Sequence, residues 1–323
     1  MTQIEKYCDN LIKSVVASIE AKGGANYLSS IILTGSFGRN EPTFSLDEDG
    51  FKLKSDVEIA LVVRRSPKQV EKIMAQVSQE FEEDLNLMII EENRVKRANN
   101  FNYTLIPSRY KTIFTYDLFN GSKTIWGRDY IGERDIRLSD VDLYEAKRII
   151  ANRIGELIYL QETAAQGDRE QLRKQWKGKL VLAIVSAWLL CEGQYASSYY
   201  QQFKNLSKRK RDVEEVFGET FFEDYENVFL FLRDSDVAFE VPNDRLRDYV
   251  AKMDAYMEKR QMDNSKVNSL SRKLKYILKY AKTGFPYGAV HFEDKILQKL
   301  IYYYASNDMK VKETADIWHR VLY

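Results

Sequence analysis

Two short segments contain the residues whose types and spacing could do chemistry. "TGSFGRNE" (34–41) follows an apolar run, and "SDVEIALVV" (55–63) places two carboxylates, one residue apart, at the start of another. Successive side chains of a strand alternate between its faces, so Asp56 and Glu58 should point the same way. Two close, unpartnered carboxylates raise each other's pKa, and a divalent cation between them removes this cost. Hard oxygen ligands favour Mg²⁺ or Mn²⁺.

The first segment predicts a phosphate site next to this metal site. Gly35 and Ser36 form a turn between a strand and a helix that we expect to begin near Gly38. A glycine turn lets backbone N–H groups approach a phosphate, a helix N-terminus adds partial positive charge, and the Ser36 hydroxyl is a further donor. Arg39 has two interpretations, a contact with the phosphates or an ion pair with Glu41.

Several elements are needed to position these residues. Residues 2–22 carry apolar side chains at helical spacing before two glycines, and the segment from Pro67 to about Leu85 is predicted to be a second helix. Alternating or continuous apolar runs predict strands in "YLSSIILTG", "DVEIALVV", "LNLMII" and "YKTIFTYDL". Up to about residue 138 the sequence therefore predicts a unit in which helices and strands are mixed.

The pattern changes after this point to helical spacing with short polar joints. It is clear in "DLYEAKRIIANRIGELIYLQE", "REQLRKQWKGKLVLAIVSAWLLCE", "DRLRDYVAKMDAYMEKR" and "EDKILQKLIYYYASND". We therefore predict an α+β chain with two domains. Residues 1–138 form a domain around a mixed sheet, and residues 139–323 form a C-terminal α-helical bundle.

Composition restricts the class of protein. The 323 residues suffice for two domains, and 49 basic against 48 acidic residues give a net charge of +1, which argues against a dedicated nucleic-acid-binding protein. Cys8 and Cys191 are far apart and indicate neither a disulfide framework nor a zinc site. The chain lacks an apolar run of membrane-spanning length and a signal-peptide layout. We therefore expect a cytoplasmic protein that has no membrane partner; the sequence does not indicate its oligomeric state.

The two segments together carry a family resemblance. "GSFGRNE" followed by "SDVEIALVV" resembles the signature of the nucleotidyltransferase superfamily that includes DNA polymerase β, the minimal nucleotidyltransferases and the aminoglycoside nucleotidyltransferases. In that signature, Gly-Ser leads a helix, Asp-x-Asp/Glu lies on the next strand, and a third carboxylate lies on a later strand. The resemblance covers roughly residues 27–130 and implies a polymerase β-like catalytic domain within 1–138.

The resemblance also implies an activity and a set of ligands. A nucleoside monophosphate would pass from an NTP, with ATP favoured, to a hydroxyl of an acceptor that the sequence does not identify, and pyrophosphate would leave. The acceptor would be a small molecule such as an antibiotic or sugar, or a macromolecule, with nucleic acid disfavoured by the near-neutral charge. Two Mg²⁺ ions, or Mn²⁺, would be held by Asp56, Glu58 and a third carboxylate. Asp117 is the preferred third ligand, and Glu91 and Glu92 are the alternatives.

Three further expectations follow from the resemblance. In related helical domains a bundle lysine reaches the phosphates, and Lys179 matches it best, with Lys177 as the alternative. The twenty positions between Ser36 and Asp56 exceed the usual family spacing, so residues 42–54 are expected to be an inserted hairpin or loop that affects substrate preference. A second possible function is a nucleotide-binding regulatory or antitoxin-like protein without efficient transfer. The third carboxylate distinguishes the two.

Overall fold

The computed structural model describes residues 3–47, 50–99, 111–163, 169–233, 239–260, 292–308 and 310–322. The chain divides into two compact units. The first is formed mainly by the described residues from 3 to 99 and from 113 to 137. The second contains residues 111 and 112, continues from Leu138 and includes the later helices. The predicted α+β class is confirmed at this coarse level.

The first unit is built around a mixed four-stranded sheet. Its strands are β1 (Leu28–Leu33), β4 (Val57–Val63), β5 (Leu85–Glu91) and β6 (Lys123–Gly127), in the spatial order β5-β4-β1-β6. Strand β1 is antiparallel to both β4 and β6, whereas β4 and β5 are parallel. The segment inserted between β1 and β4 forms a separate hairpin of β2 (Phe44–Asp47) and β3 (Gly50–Leu53), as the sequence predicted.

Short and long helices surround this sheet. They are α1 (Gln3–Ala21), α2 (Gly35–Gly38), α3 (Pro67–Ser78), α4 (Glu92–Lys96) and α5 (Ile113–Asn120). Helix α1 forms because Leu11, Val15 and Ile19 recur at helical spacing and are buried together. It ends before Gly23, which adopts a left-handed conformation with φ of 80°.

The sheet has an apolar core on each face, because its strand residues alternate in direction. Val57, Ile59 and Leu61 of β4 pack in the core that contains the apolar residues of α1 and α3. Ala60 and Val62 pack in the other core, with residues of α4 and α5. By the same alternation Glu58 belongs to the face covered by α4 and α5, which we call the second face; the α1 side is the first face.

The described part of the second unit consists mainly of helices, in agreement with the sequence pattern. These helices are α6 (Tyr144–Thr163), α7 (Arg169–Cys191), α8 (Tyr199–Ser207), α9 (Lys210–Phe217), α10 (Phe221–Arg233), α11 (Asn243–Lys259), α12 (Phe292–Ala305) and α13 (Lys310–Leu322). Every residue from Leu180 to Leu190 is buried, which makes the second half of α7 a central element of this unit. Within the ranges given above, no helix is both long and apolar enough to cross a bilayer.

Two local predictions were wrong. The segment "YKTIFTYDL" is not a strand, because residues from Ile113 onward form helix α5. Its aromatic and β-branched residues suggested a strand, but the buried side chains, Thr115, Leu118 and Phe119, follow helical spacing. The helix expected to begin near Gly38 instead begins at Gly35 and ends at Gly38.

Candidate functional site

The two segments singled out in the sequence meet where β1 ends and β4 begins. Leu33, the last residue of β1, pairs with Ile59. The next backbone N–H, from Thr34, donates to the carbonyl oxygen of Glu58 at 2.9 Å. The antiparallel pairing therefore places the start of α2 next to the carboxylate-bearing end of β4.

Gly35 is in direct contact with the Glu58 side chain. It has a left-handed φ of 61°, and a Cβ built on it would lie 1.8 Å from Oε2 of Glu58 and 2.6 Å from its Cδ. No larger residue fits there unless the carboxylate moves, and the left-handed backbone also favours glycine. The glycine at this point of the motif thus allows the turn and the acidic side chain to occupy adjacent space.

Ser36 and Arg39 lie on the same short helix. Among the described residues, the buried Oγ of Ser36 has no hydrogen-bond partner. Its carbonyl oxygen accepts from the backbone N–H of Glu41 at 2.7 Å. Nε of Arg39 lies 3.5 Å from Oε2 of Glu41. Of the two interpretations of Arg39, a phosphate contact and an ion pair with Glu41, the structure contains the ion pair. The buried Ser36 hydroxyl can donate to a ligand.

The other side of α2 packs against the turn between α5 and β6. A Cβ on Gly38 would lie 2.7 Å from the carbonyl oxygen of Gly121, so α2 and the turn approach closely. The Ser122 hydroxyl donates to Oγ1 of Thr34 at 2.9 Å. The N–H of Gly121 in turn donates to the carbonyl oxygen of Asp117 at 2.7 Å. This network fixes the position of α2 from behind.

Asp117 lies on α5, but its carboxylate does not complete a metal-binding group. Within the described part of the chain, no three Asp, Glu, His or Cys side chains are placed to hold one ion, so Asp117 does not join Asp56 and Glu58 in such a group. Its charge acts instead near Tyr116, whose pKa is raised by burial and then by Asp117 and Asp135. The predicted role of Asp117 as third ligand stays a prediction.

The alternatives Glu91 and Glu92 lie at the opposite end of the sheet. Glu58 pairs with Asn86 of β5, and Glu91 is five residues further along that strand, about 16 Å away. Glu91 lies near Arg94, at 3.6 Å, and Glu92 pairs with Lys96 at 3.1 Å. The geometry therefore does not bring either carboxylate to Asp56 and Glu58.

Asn86 lies beside Glu58, and the sequence pattern did not single it out. Asn86 is the partner of Glu58 in the parallel register of β4 and β5, so the two side chains leave the same face of the sheet. The signal that could have found it is a polar residue enclosed by the apolar run "LNLMII". An amide oxygen is a neutral, hard ligand, so Asn86 can offer a cation a ligand oxygen but no negative charge.

These residues fit a divalent cation held together with phosphates. Asp56 immediately precedes β4, Glu58 is its second residue, and both side chains are half-buried. Mg²⁺ commonly takes only one or two protein carboxylates when substrate phosphates supply the remaining oxygens. Two carboxylates, an amide oxygen and the Ser36 hydroxyl are all oxygen donors, which is the chemistry such an ion prefers.

The lysines predicted to reach the phosphates belong to the second unit. Nζ of Lys179 on α7 lies 4.1 Å from the ring centroid of Trp176, in a cation–π contact. Lys177 donates to the carbonyl oxygen of Val241 at 3.2 Å, and burial lowers its pKa. Both amino groups therefore have contacts within the second unit, and the choice between Lys179 and Lys177 stays a prediction.

Comparison with known proteins does not place the chain in a family. No protein-family model matches it, and no curated protein is significantly similar to it.

Proposed function

We propose that the chain is a Mg²⁺-dependent nucleotidyltransferase whose first unit is a polymerase β-like catalytic domain. It would transfer a nucleoside monophosphate from ATP or another NTP to a hydroxyl acceptor. The observation that carries this proposal is the contact of Gly35 with the Glu58 carboxylate. That contact joins a turn suited to phosphate with Glu58, one of the two carboxylates proposed to hold a cation.

Each residue of the site has a role in this proposal. Asp56 and Glu58 hold the cation, which when bound offsets the charge of the phosphates. The Ser36 hydroxyl and the backbone at Gly35 donate to phosphate oxygens. Arg39, held by Glu41, adds positive charge on the nucleotide. The support for Arg39 is its charge and the family resemblance, and its contact with a nucleotide is part of the proposal. Lys179 stays the lysine that the resemblance predicts.

The proposal is tested by nucleotide binding and pyrophosphate release with each of the four labelled NTPs, Mg²⁺ or Mn²⁺, and a panel of hydroxyl acceptors. We expect Asp56→Asn and Glu58→Gln to reduce transfer by at least about a hundredfold, because each removes a charged metal ligand. Glu71→Gln is the matched control, since this exposed carboxylate lies on α3. Absence of both nucleotide binding and pyrophosphate release across the panel would contradict the proposal, as would full activity of the two site variants.

A second function, nucleotide binding without efficient transfer, is favoured by one observation. The strand position next to Glu58 is occupied by Asn86, and no third acidic side chain of the described residues joins the pair. A site with two carboxylates can hold one cation with a nucleotide, but it provides less charge for a second cation. The chain would then act through its nucleotide-bound state, as a regulator or antitoxin-like protein.

Asn86→Asp distinguishes the two functions. The new carboxylate would stand beside Glu58, so we expect Mn²⁺ to bind about tenfold more tightly and to raise the melting temperature more than in the parent chain. If the parent only binds nucleotide, pyrophosphate release should appear in this variant alone; if the parent already transfers, Asn86→Asp should change its rate only modestly. Asn93→Asp on α4 is the control and should change neither quantity.

A further inference from the structure

A large cavity lies on the first face of the sheet, away from Glu58. Its volume is about 1050 Å³, at the upper end of the range of small-molecule sites. One wall is α1, and the opposite wall combines the end of β1, α2, the base of the inserted hairpin and strand β6. All its lining residues belong to the first unit. The proposed nucleotide site does not use this cavity.

The lining is apolar with a charged margin. Cys8, Ile12 and Val16 of α1 face Leu33, Phe37 and Phe44 across the cavity. All of these except Phe44 belong to the core of the first face or pack against it, and Leu33 and Phe37 are buried in it. An apolar ligand would therefore rest on a surface that is already fixed by the core, at little cost in ordering side chains.

The charges at the margin are unequal. Three acidic side chains line the cavity, Glu5, Asp9 and Glu20, against two basic ones, Lys13 and Lys123. Glu20 accepts from the Trp126 indole at 2.7 Å. Lys123 donates to the Asn40 side chain, and both of these residues lie on the wall opposite α1. These partners are neutral and do not cancel the charges of Glu20 and Lys123, so the lining keeps its excess of acidic residues, two of which, Glu5 and Asp9, lie on the first two turns of α1.

The thiol of Cys8 reports the electrostatic potential in this part of the cavity. Burial raises its pKa, and the negative charges of Asp9 and Glu5 raise it further. Burial disfavours a charge of either sign, but the part of the shift that comes from Asp9 and Glu5 reflects a negative potential, which favours a cation. The partly buried Phe44 ring also belongs to the lining, and the face of an aromatic ring attracts cations.

We propose that this cavity binds an elongated amphipathic cation, with an apolar body along α1 and β1 and an amine or quaternary ammonium group beside Glu5 and Asp9. The ligand class follows from the size and apolar lining of the cavity and from the acidic end of α1. The cavity and the carboxylates of β4 lie on different faces of the sheet, so this proposal is tested separately from nucleotide binding, although α2 contributes to both.

The test uses Cys8 as a reporter in the full chain. Cys191→Ser leaves Cys8 as the only cysteine. We compare the rates at which Cys8 is modified by a cationic (trimethylammonioethyl) and by an anionic (sulfonatoethyl) methanethiosulfonate. The reference is the thiol introduced by Ser14→Cys in a chain that lacks both native cysteines. Ser14 is exposed on the same helix and outside the cavity lining. We expect the cation-to-anion rate ratio to be about tenfold higher at Cys8.

Protection by a probe ligand tests binding itself. Octyltrimethylammonium, below its micelle-forming concentration, should slow modification of Cys8 saturably and by about fivefold or more, whereas octyl sulfate should have less than about a twofold effect. Asp9→Asn should weaken this protection. Ala17→Phe, which fills the cavity from α1, should abolish it, and Ser14→Phe should not.

Three outcomes would overturn the proposal. They are equal protection by the cationic and anionic probes, absence of protection by either, and protection that persists unchanged in both Asp9→Asn and Ala17→Phe. If Ala17→Phe impairs folding, Asp9→Asn decides alone, because Asp9 is exposed and its substitution leaves the core intact.

Discussion

Gly35 is the residue on which the geometry of the candidate site depends most directly. A methyl group at this position would overlap the Glu58 carboxylate, and the backbone has a left-handed φ of 61°. We expect Gly35→Ala to displace the carboxylate and to abolish detectable Mg²⁺-nucleotide binding. The left-handed backbone alone should cost about 1–2 kcal/mol of folding free energy. Binding by calorimetry and unfolding by denaturant measure the two effects separately.

Gly193 provides the matched control for this substitution. It also has a left-handed backbone, with φ of 67°, but a Cβ there would meet no atom within 4 Å. Gly193→Ala should therefore carry the same backbone cost of about 1–2 kcal/mol and leave nucleotide binding unchanged. If Gly35→Ala binds nucleotide as well as Gly193→Ala does, the contact with Glu58 has no role in the site.

At the scale of elements, a buried carboxylate joins three helical segments of the second unit. Glu192 follows the end of α7, and its side chain is 7% exposed. It accepts from Arg209, which precedes α9, at 2.7 Å, and it also accepts from Tyr256 and Arg260 at the end of α11. The contacts hold the ends of these helices together.

The ionisation of Glu192 should make the stability of the second unit depend on pH. Burial would raise its pKa, but the Tyr256 hydroxyl and the two guanidinium groups outweigh burial and lower it. Because the folded-state pKa lies below the unfolded value of about 4.3, the stabilisation is present above that value and is lost as pH falls through the folded-state pKa. Helix content measured against denaturant between pH 3 and pH 7 tests this.

Glu192→Gln should remove that dependence and lower stability at neutral pH by about 1–2 kcal/mol. The cost is moderate because Arg260 is half-exposed and solvent screens its charge. Glu223→Gln, an exposed carboxylate in the first turn of α10, is the control and should retain the parent's pH profile. An unchanged profile in Glu192→Gln would show that other groups produce the acid sensitivity.

The elements also show which parts of the fold are readable from the sequence. Helix α1 was predictable because its buried positions repeat with one period, and β4 because it is a long apolar run between polar residues. Helix α5 was not, because "IFTYDLFN" is only eight residues long and mixes aromatic and β-branched side chains. Asp117 was therefore expected at the end of a strand, but it lies within helix α5, where its side chain leaves the backbone in a different direction.

The pairing of strands limited the prediction of the site in another way. Asp56 and Glu58 could be recognised from one segment, because their spacing and the strand period are local properties. The neighbour of Glu58 depends on which strand lies beside β4 and in which register, and a single sequence does not contain that information. The position of Asn86 beside Glu58 therefore follows from the parallel pairing of β4 and β5 and not from a local property of the sequence.

For the whole molecule, the distribution of the two cores predicts that the first unit folds without the second. The core residues on both faces of its sheet lie between Leu11 and Ile136, and the second unit begins again at Leu138. Residues 1–138 expressed alone should therefore unfold cooperatively and show dispersed amide resonances. An unfolded fragment would show that the boundary predicted between 138 and 139 does not separate independent domains.

The same fragment tests whether the predicted lysine, Lys179, contributes to nucleotide binding. It retains Gly35, Ser36, Asp56 and Glu58 but lacks Lys179, so it should bind Mg²⁺-ATP about tenfold more weakly than the full chain if this lysine contacts phosphate. Lys179→Gln in the full chain should then weaken binding to the same extent, and Lys174→Gln, on the same helix, should not. Equal affinities of fragment, variant and parent would confine nucleotide binding to the first unit, because the charge of Lys179 would then contribute nothing to it.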